Sequence, residues 1–189
     1  METTIKNLLA SHLQRTLDDD RPIVVMTCGI AGAGKTTLAK AIEATYPAFT
    51  RISIDDITCQ NHGIYGIDYE ASAALYEQYQ DEADITYRAR YRALLADKKD
   101  VILERSFYAR EDREEYRKMA HDGGARVVLV FLKAEGDEGK EFLWNRICKR
   151  SNRGKTADSA LDISRETFEM YWRGFEDPVG EGEIVVKVG

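Results

Sequence analysis

Eight residues constrain this chain more than any others: Gly29-Ile30-Ala31-Gly32-Ala33-Gly34-Lys35-Thr36 follows the spacing G-x-x-x-x-G-K-[ST] in full. They come directly after a continuous, β-branched run, Ile23-Val24-Val25-Met26-Thr27-Cys28, which itself begins after Pro22. They precede a stretch in which Leu38, Ala41 and Ile42 share one helical face. A buried strand, a glycine loop and a helix in that order turn successive backbone N–H groups around one point. The glycines remove the Cβ atoms that would block that path, and the helix aims its positive dipole end at the same point. Such a turn is built to cradle phosphate. Lys35 is expected to neutralise the β- and γ-phosphates of a nucleoside triphosphate, and the Thr36 hydroxyl to ligate Mg²⁺. Thr37 reads as a helix-start residue and completes the nucleotide-binding set.

The rest of the chain alternates in the same way. An amphipathic helix is expected near the start, with Ile5, Leu8, Leu9, Leu13 and Leu17 at helical spacing, ended by Asp18-Asp19-Asp20-Arg21-Pro22. After the first strand and helix, residues 50–54 read as a second strand that ends at Asp55-Asp56. A long helical pattern covers 69–96, where Leu75, Tyr79, Ala83, Tyr87, Tyr91 and Leu95 form one apolar stripe, a packing surface rather than a base-stacking platform. Residues 101–103 and 126–132 read as buried strands, separated by a helix over 110–121 that ends at Asp122-Gly123-Gly124. An acidic loop is expected over 134–140 and a helix over 141–149. A last helix capped by Ser164 runs to about residue 175, and a fifth strand covers 184–188. The pattern predicts one domain over 1–189: a three-layer α/β P-loop NTPase fold with a mainly parallel five-stranded sheet and a helical lid over about 141–163. In such sheets ligands bind at the carboxyl ends of the strands.

Chemistry-bearing residues fall at those ends. Asp55 closes strand two and is the candidate base for an acceptor hydroxyl. Asp56 is placed to cap the next helix or to reach Mg²⁺ through water. Glu104 directly follows the buried Val-Ile-Leu run, the arrangement of an acid that holds Mg²⁺ or hydrogen-bonds an acceptor. Arg146, Lys149, Arg150, Arg153 and Lys155 lie within ten residues that contain no acid. They read as a lid over the triphosphate, with a solvated helix face and a nucleic-acid groove as the other readings. Arg150 is the candidate for stabilising the transferring phosphoryl group, with Arg146 and Arg153 as nucleotide-binding neighbours.

Composition excludes several classes. A net charge of −6 argues against a protein whose main task is coating nucleic acid. The most apolar run, 23–31, is too short to span a bilayer, and residues 1–20 lack the apolar region of a signal peptide. Cys28, Cys59 and Cys148 make no C-x-x-C pair and have no histidines at zinc spacing, as expected of reduced thiols in a cytoplasmic protein.

The order of phosphate loop, Ser53-x-Asp55, strand-ending Glu104 and Arg146-x-x-x-Arg150 resembles the zeta-toxin-like and polynucleotide-kinase-like P-loop kinases, AAA-domain ATP-binding proteins. That group also includes chloramphenicol phosphotransferase and gluconate-kinase-type enzymes. The resemblance covers about 23–178 and includes the ending Phe175-Glu176-x-Pro178. It implies that Asp55 is the catalytic base and that Arg150 and Arg153 contact ATP. The segment with Arg110 and Arg113 also resembles the polynucleotide kinases, but where those carry an arginine three residues after the base, this chain has Thr58. The acceptor pocket is expected over 59–69, with Asn61, His62 and Tyr65. No guanine-reading N-K-x-D motif is present, so ATP is the expected nucleotide. The chain is therefore expected to be an ATP- and Mg²⁺-dependent phosphotransferase acting on a small-molecule hydroxyl, as a monomer or weak dimer. The alternatives are a 5′-hydroxyl polynucleotide kinase, an NTPase or nucleotide-binding regulator without an acceptor, and a toxin-like enzyme acting on a nucleotide sugar.

Overall fold

The computed structural model describes residues 9–157 and 162–189. Strand β1 (Ile23–Cys28) is buried along its whole length, as is β3 (Asp100–Glu104). They form the centre of the sheet with β4 (Arg126–Lys133), flanked by β2 (Phe49–Ser53) and β5 (Ile184–Lys187). The order is β2-β3-β1-β4-β5, and every pairing is parallel. Parallel strands need helical crossovers, which cover both faces and explain the unbroken apolar runs.

The helices are α1 (Lys35–Thr45), α2 (Ile54–His62), α3 (Ala73–Ala96), α4 (Arg110–Asp122), α5 (Gly136–Ser151) and α6 (Arg165–Gly174). Strand alternation splits the core in two. Ile23 and Val25 face Leu38, Ile42, Leu143, Ile147 and Phe168 of α1, α5 and α6. Val24, Met26 and Cys28 face Ile57, Tyr87, Tyr91 and Tyr116 of α2, α3 and α4. This is the expected three-layer P-loop NTPase fold, with the sheet wholly rather than mainly parallel. Ala83, Tyr87, Tyr91 and Leu95 of the stripe on α3 are all buried, so its inner half is packing surface. No helix among the described residues is long and apolar enough to cross a membrane.

Four boundaries differ from the sequence expectation. The N-terminal helix does not continue to Leu17: helical backbone ends at Ala10, and Leu17 is fully exposed, while Ile5 and Leu8 lie outside the described residues. The chain leaves the helix there because Arg15 turns to Asp100 at 2.8 Å, and the same carboxylate accepts Ile23 N at 2.8 Å. Helix α3 begins at Ala73 with Ser72 as its cap, four residues later than the pattern suggests. Helix α2 begins at Ile54, and the second strand is shifted one residue back, to Phe49–Ser53. The acidic segment 134–140 is largely the first turn of α5, where Asp137 and Glu138 sit at the positive end of the helix dipole. Within the expected lid, residues 158–161 lie outside the described residues.

Candidate functional site

The phosphate loop turns at the carboxyl end of β1. Gly29, Gly32 and Gly34 hold φ of 146°, 82° and 104°, a region that side chains rarely adopt. At two of them a Cβ also has no room: it would lie 2.8 Å from Leu132 O at Gly29 and 2.8 Å from Leu143 O at Gly32. The loop is thus pressed between the end of β4 and helix α5. Gly34 is the N-cap of α1 and offers no side-chain cap, so the first amides of that helix stay open to an anion. Lys35 curls back and donates to Ile30 O at 3.1 Å. Burial depresses its pKa to about 8, with the nearby Arg150 charge adding to the shift and Glu104 and Asp55 opposing it.

Glu104 ends β3 in register with Thr27 and Ser53, directly across from the loop. The Thr36 hydroxyl donates to Glu104 Oε1, so two hard oxygen donors meet where the phosphates would end. The other carboxylate oxygen accepts from Arg51, which the sequence reading missed. Arg51 is half-buried on β2 and also pairs with Asp56 Oδ2 and, at 3.5 Å, with Glu43 Oε2. Burial opposes its charge, but the carboxylates of Glu104, Asp56 and Glu43 outweigh that and raise its pKa. The available signal was strand alternation: a lone cation between Thr50 and Ile52 in a buried strand needs acidic partners. Asp56 is therefore engaged by Arg51, and the cap of α2 is Ser53, whose hydroxyl accepts Asp56 N at 3.5 Å. Asp55, the second residue of α2, is exposed to the cleft, and neither carboxylate is the helix cap.

Asp55 shares its cleft with the basic residues of α5. Arg146, Lys149 and Arg150, spaced three and four apart, share one face, and Arg153 follows just after the helix. All four line a cleft of about 830 Å³ together with Gly34, Lys35, Thr36, Thr37, Asp55 and Glu104. The Arg146 guanidinium passes over the loop, 3.4 Å from where a Cβ on Gly34 would stand, and lies 5.6 Å from the Phe142 ring centroid. On the adjoining stripe of α5, Leu143 and Ile147 are buried in the core, so this half of the expected lid is anchored. Lys155 does not line the cleft; it donates to Tyr65 O at 3.2 Å and lies 4.8 Å above the Tyr65 ring.

The acceptor end is aromatic. His62 stacks on Tyr79 at 3.6 Å, and Tyr65, Tyr69, Tyr76 and Tyr79 meet edge to face. His62 Nε2 is 3.1 Å from Glu82 Oε2 without hydrogen-bond geometry. Behind them, Asp55, Thr58, Cys59, Gly63, Tyr69, Tyr76, Gln80 and Ala157 enclose a small recess. Asn61 is exposed and lines neither space. Arg110 and Arg113 are also away from the cleft: Arg110 is exposed and pairs with Glu114, and Arg113 is fully buried against Glu181. The Cys28 thiol is buried and pushed up to about 12, and none of the three cysteines is in a disulfide.

A family profile described as an AAA domain matches residues 24–178. No curated protein matches the sequence. Among solved structures, a candidate kinase from Chloroflexus aurantiacus J-10-fl is similar with a TM-score of 0.63 at 19% identity, over 88% of this chain and 85% of that one. A chain of the Pnkp1/Rnl/Hen1 RNA repair complex gives 0.62 at 20%, over 82% of this chain and 44% of that one. A gluconokinase from Sinorhizobium meliloti 1021 gives 0.53 at 20%, over 89% and 83%. At these identities the likeness is one of fold alone.

Proposed function

The chain belongs to the AAA domain family, and from that premise we propose that it is an ATP- and Mg²⁺-dependent phosphotransferase that moves the γ-phosphate to a hydroxyl of a small molecule. The observation that carries the reading is the placement of Asp55 and of Arg146, Arg150 and Arg153 around one cleft headed by the uncapped α1. A nucleotide switch needs the loop but has no use for a carboxylate and a row of arginines facing each other across the γ-phosphate position.

The amides of Gly29, Ile30, Ala31, Gly32, Ala33 and Gly34 and the Lys35 ammonium hold the phosphates; Thr37, Arg146 and Arg153 flank them. Thr36 and Glu104 fit Mg²⁺: a hydroxyl and a carboxylate converge, the sparse hard-oxygen set this ion takes when phosphates and water complete its shell. Asp56 stands one guanidinium away, through Arg51. Thr36 and Glu104 would hold the ion there, and it would supply positive charge to offset that of the phosphates. Asp55 accepts the proton of the acceptor hydroxyl as that oxygen bonds to the γ-phosphorus. The bond from that phosphorus to the bridging oxygen breaks, and its electron pair leaves with ADP. Arg150 stabilises the charge spread over the transferring group.

Asp55→Asn should lower kcat by about 10²–10⁴-fold while ATP affinity stays near wild type. Wild-type turnover in that variant would remove Asp55 from the chemistry. Labelled ATP offered with a metabolite extract, and separately with a 5′-hydroxyl oligonucleotide, tests the acceptor: label on the oligonucleotide alone, or hydrolysis that neither stimulates, would overturn the small-molecule reading.

A further inference from the structure

The recess behind Asp55 is a separate space that opens from the main cleft. The two share Asp55, Tyr76 and Gln80, so the candidate base stands at the doorway. The space open to the centre of a water-sized sphere is about 10 Å³, enough for about one water and therefore for one hydroxyl group. Its walls are Thr58, Cys59, Gly63, Tyr69 and Ala157, with Asp55 as the sole charged side chain among the described lining residues.

Lys35, Arg146, Lys149, Arg150 and Arg153 line the main cleft but not the recess. Arg105, at the floor, pairs with Asp84 and lies 3.4 Å from Tyr116 Oη. Lys155 is held by Tyr65 O and lies 3.6 Å from Asp162. An anionic group seated in the recess would thus find no cation among the described lining residues, and a charge taken out of water without a partner is strongly disfavoured.

The recess does offer neutral hydrogen-bonding groups. The Tyr69 hydroxyl is buried and has no hydrogen-bond partner among the described residues, a cost that a ligand hydroxyl would relieve. Gln80 holds its amide by donating to Thr58 Oγ1 at 2.9 Å, which leaves its carbonyl oxygen able to accept. Burial raises the phenol pKa of both Tyr69 and Tyr76, keeping them as donors across the physiological range.

We infer that the acceptor is an uncharged polyol or sugar, which presents its reacting hydroxyl to Asp55 and seats a second hydroxyl in the recess bounded by Tyr69, Tyr76 and Gln80. This rests on the phosphotransferase reading and narrows its substrate class.

The test uses the full chain with Mg²⁺ and a non-hydrolysable ATP analogue, and a panel of neutral sugars and alditols beside the corresponding aldonates, scored by saturation-transfer NMR. Transfer of label from ATP to the same panel is scored in parallel. The neutral member of a pair should bind at least about tenfold tighter than its carboxylate. Gln80→Lys, which puts a cation at the doorway, should reverse that preference, and Tyr69→Phe should weaken neutral binding alone. Equal or tighter binding of the carboxylates, or no binding by either class, overturns the inference. Label passing preferentially to carboxylates also overturns it while leaving phosphotransfer intact. Neutral binding with no transfer to any member does the reverse: the recess assignment stands and the phosphotransferase reading falls.

Discussion

Lys35 is held at a pKa of about 8 by burial, against 10.5 for an ordinary lysine. The sign of the effect on nucleotide binding follows from proton counting. Below pH 8 the ammonium is already formed and meets the phosphates directly. Above pH 8 the unliganded protein carries a neutral amine, and binding a triphosphate draws a proton from solution to restore the charge. ATP affinity should therefore be flat up to about pH 8 and then fall by up to roughly tenfold per pH unit. Calorimetry at pH 8.5 in two buffers of different ionisation enthalpy should detect that proton uptake, and Lys35→Met should abolish both the uptake and the pH step. A flat affinity between pH 7 and 9.5 in the wild-type chain would show that the amine stays charged without nucleotide. This residue could be read from sequence because the motif fixes its place to the backbone. Arg51, Tyr69 and Gln80 could not. Arg51 gains its role from β2 lying in register with β3, which sets it beside Glu104; Gln80 gains its role from α3 meeting α2, and Tyr69 from the segment that leads into α3. None of these relations has a fixed spacing along the chain.

At the scale of elements, α5 carries two sets of side chains with separate tasks, and substitutions that touch each should separate stability from rate. Gly32 has φ of 82° and lies so close to α5 that an added Cβ would stand 2.8 Å from Leu143 O and 3.2 Å from Ile147 Cγ1. Gly32→Ala should force the loop and the helix apart, lowering Tm and ATP affinity together. Arg150→Ala acts on the cleft, which the side chain lines, and Arg150 is not among the core residues. It should lower kcat by about 10²–10³ with little change in Tm. Thermal melts with and without ATP, read beside initial rates, distinguish the two, and a large Tm loss in Arg150→Ala would mean that the arginine is structural. The basic face of α5 was legible because Arg146, Lys149, Arg150 and Arg153 repeat at helical spacing without an intervening acid. Its true start at Gly136 was not, because acids in a first turn look like a loop until the helix dipole is taken into account. The 54–62 helix was hidden similarly: its cap, Ser53, is also the last residue of a strand.

Across the whole molecule, the loop that carries ATP chemistry is tied to the far end of the chain through one buried ion pair. Arg113 of α4 has a fully buried side chain and donates to Glu181 Oε1 at 2.7 Å and Oε2 at 3.0 Å, while Arg117 reaches the same carboxylate at 3.3 Å. Arg113 also donates to Phe107 O at 2.9 Å. Phe107 holds φ of 46°, an uncommon conformation for a side-chain-bearing residue, and its neighbour Ser106 accepts Gly29 N at 3.1 Å. Glu181, in the connection between α6 and β5, thus fixes Arg113, which fixes the backbone that supports the first glycine of the phosphate loop. Burial alone would raise the Glu181 pKa, but Arg113 and Arg117 outweigh it and hold it below the ordinary value of 4.5. A carboxylate depressed in this way stabilises the fold above its unfolded pKa, and the contribution is lost as pH falls through the lower folded value. Glu181→Gln keeps the size and leaves Arg113 buried without its counter-charge, which should cost about 3–5 kcal/mol at pH 7. Urea unfolding of both chains at pH 7 should show that gap. Repeated at decreasing pH below 4.5, the gap should narrow, because the wild-type carboxylate is then protonated as well. A gap that stays constant with pH would locate the loss in packing rather than in charge. ATP affinity should fall in Glu181→Gln although the residue lies outside the cleft, and unchanged affinity would show that the loop holds its shape without this tie.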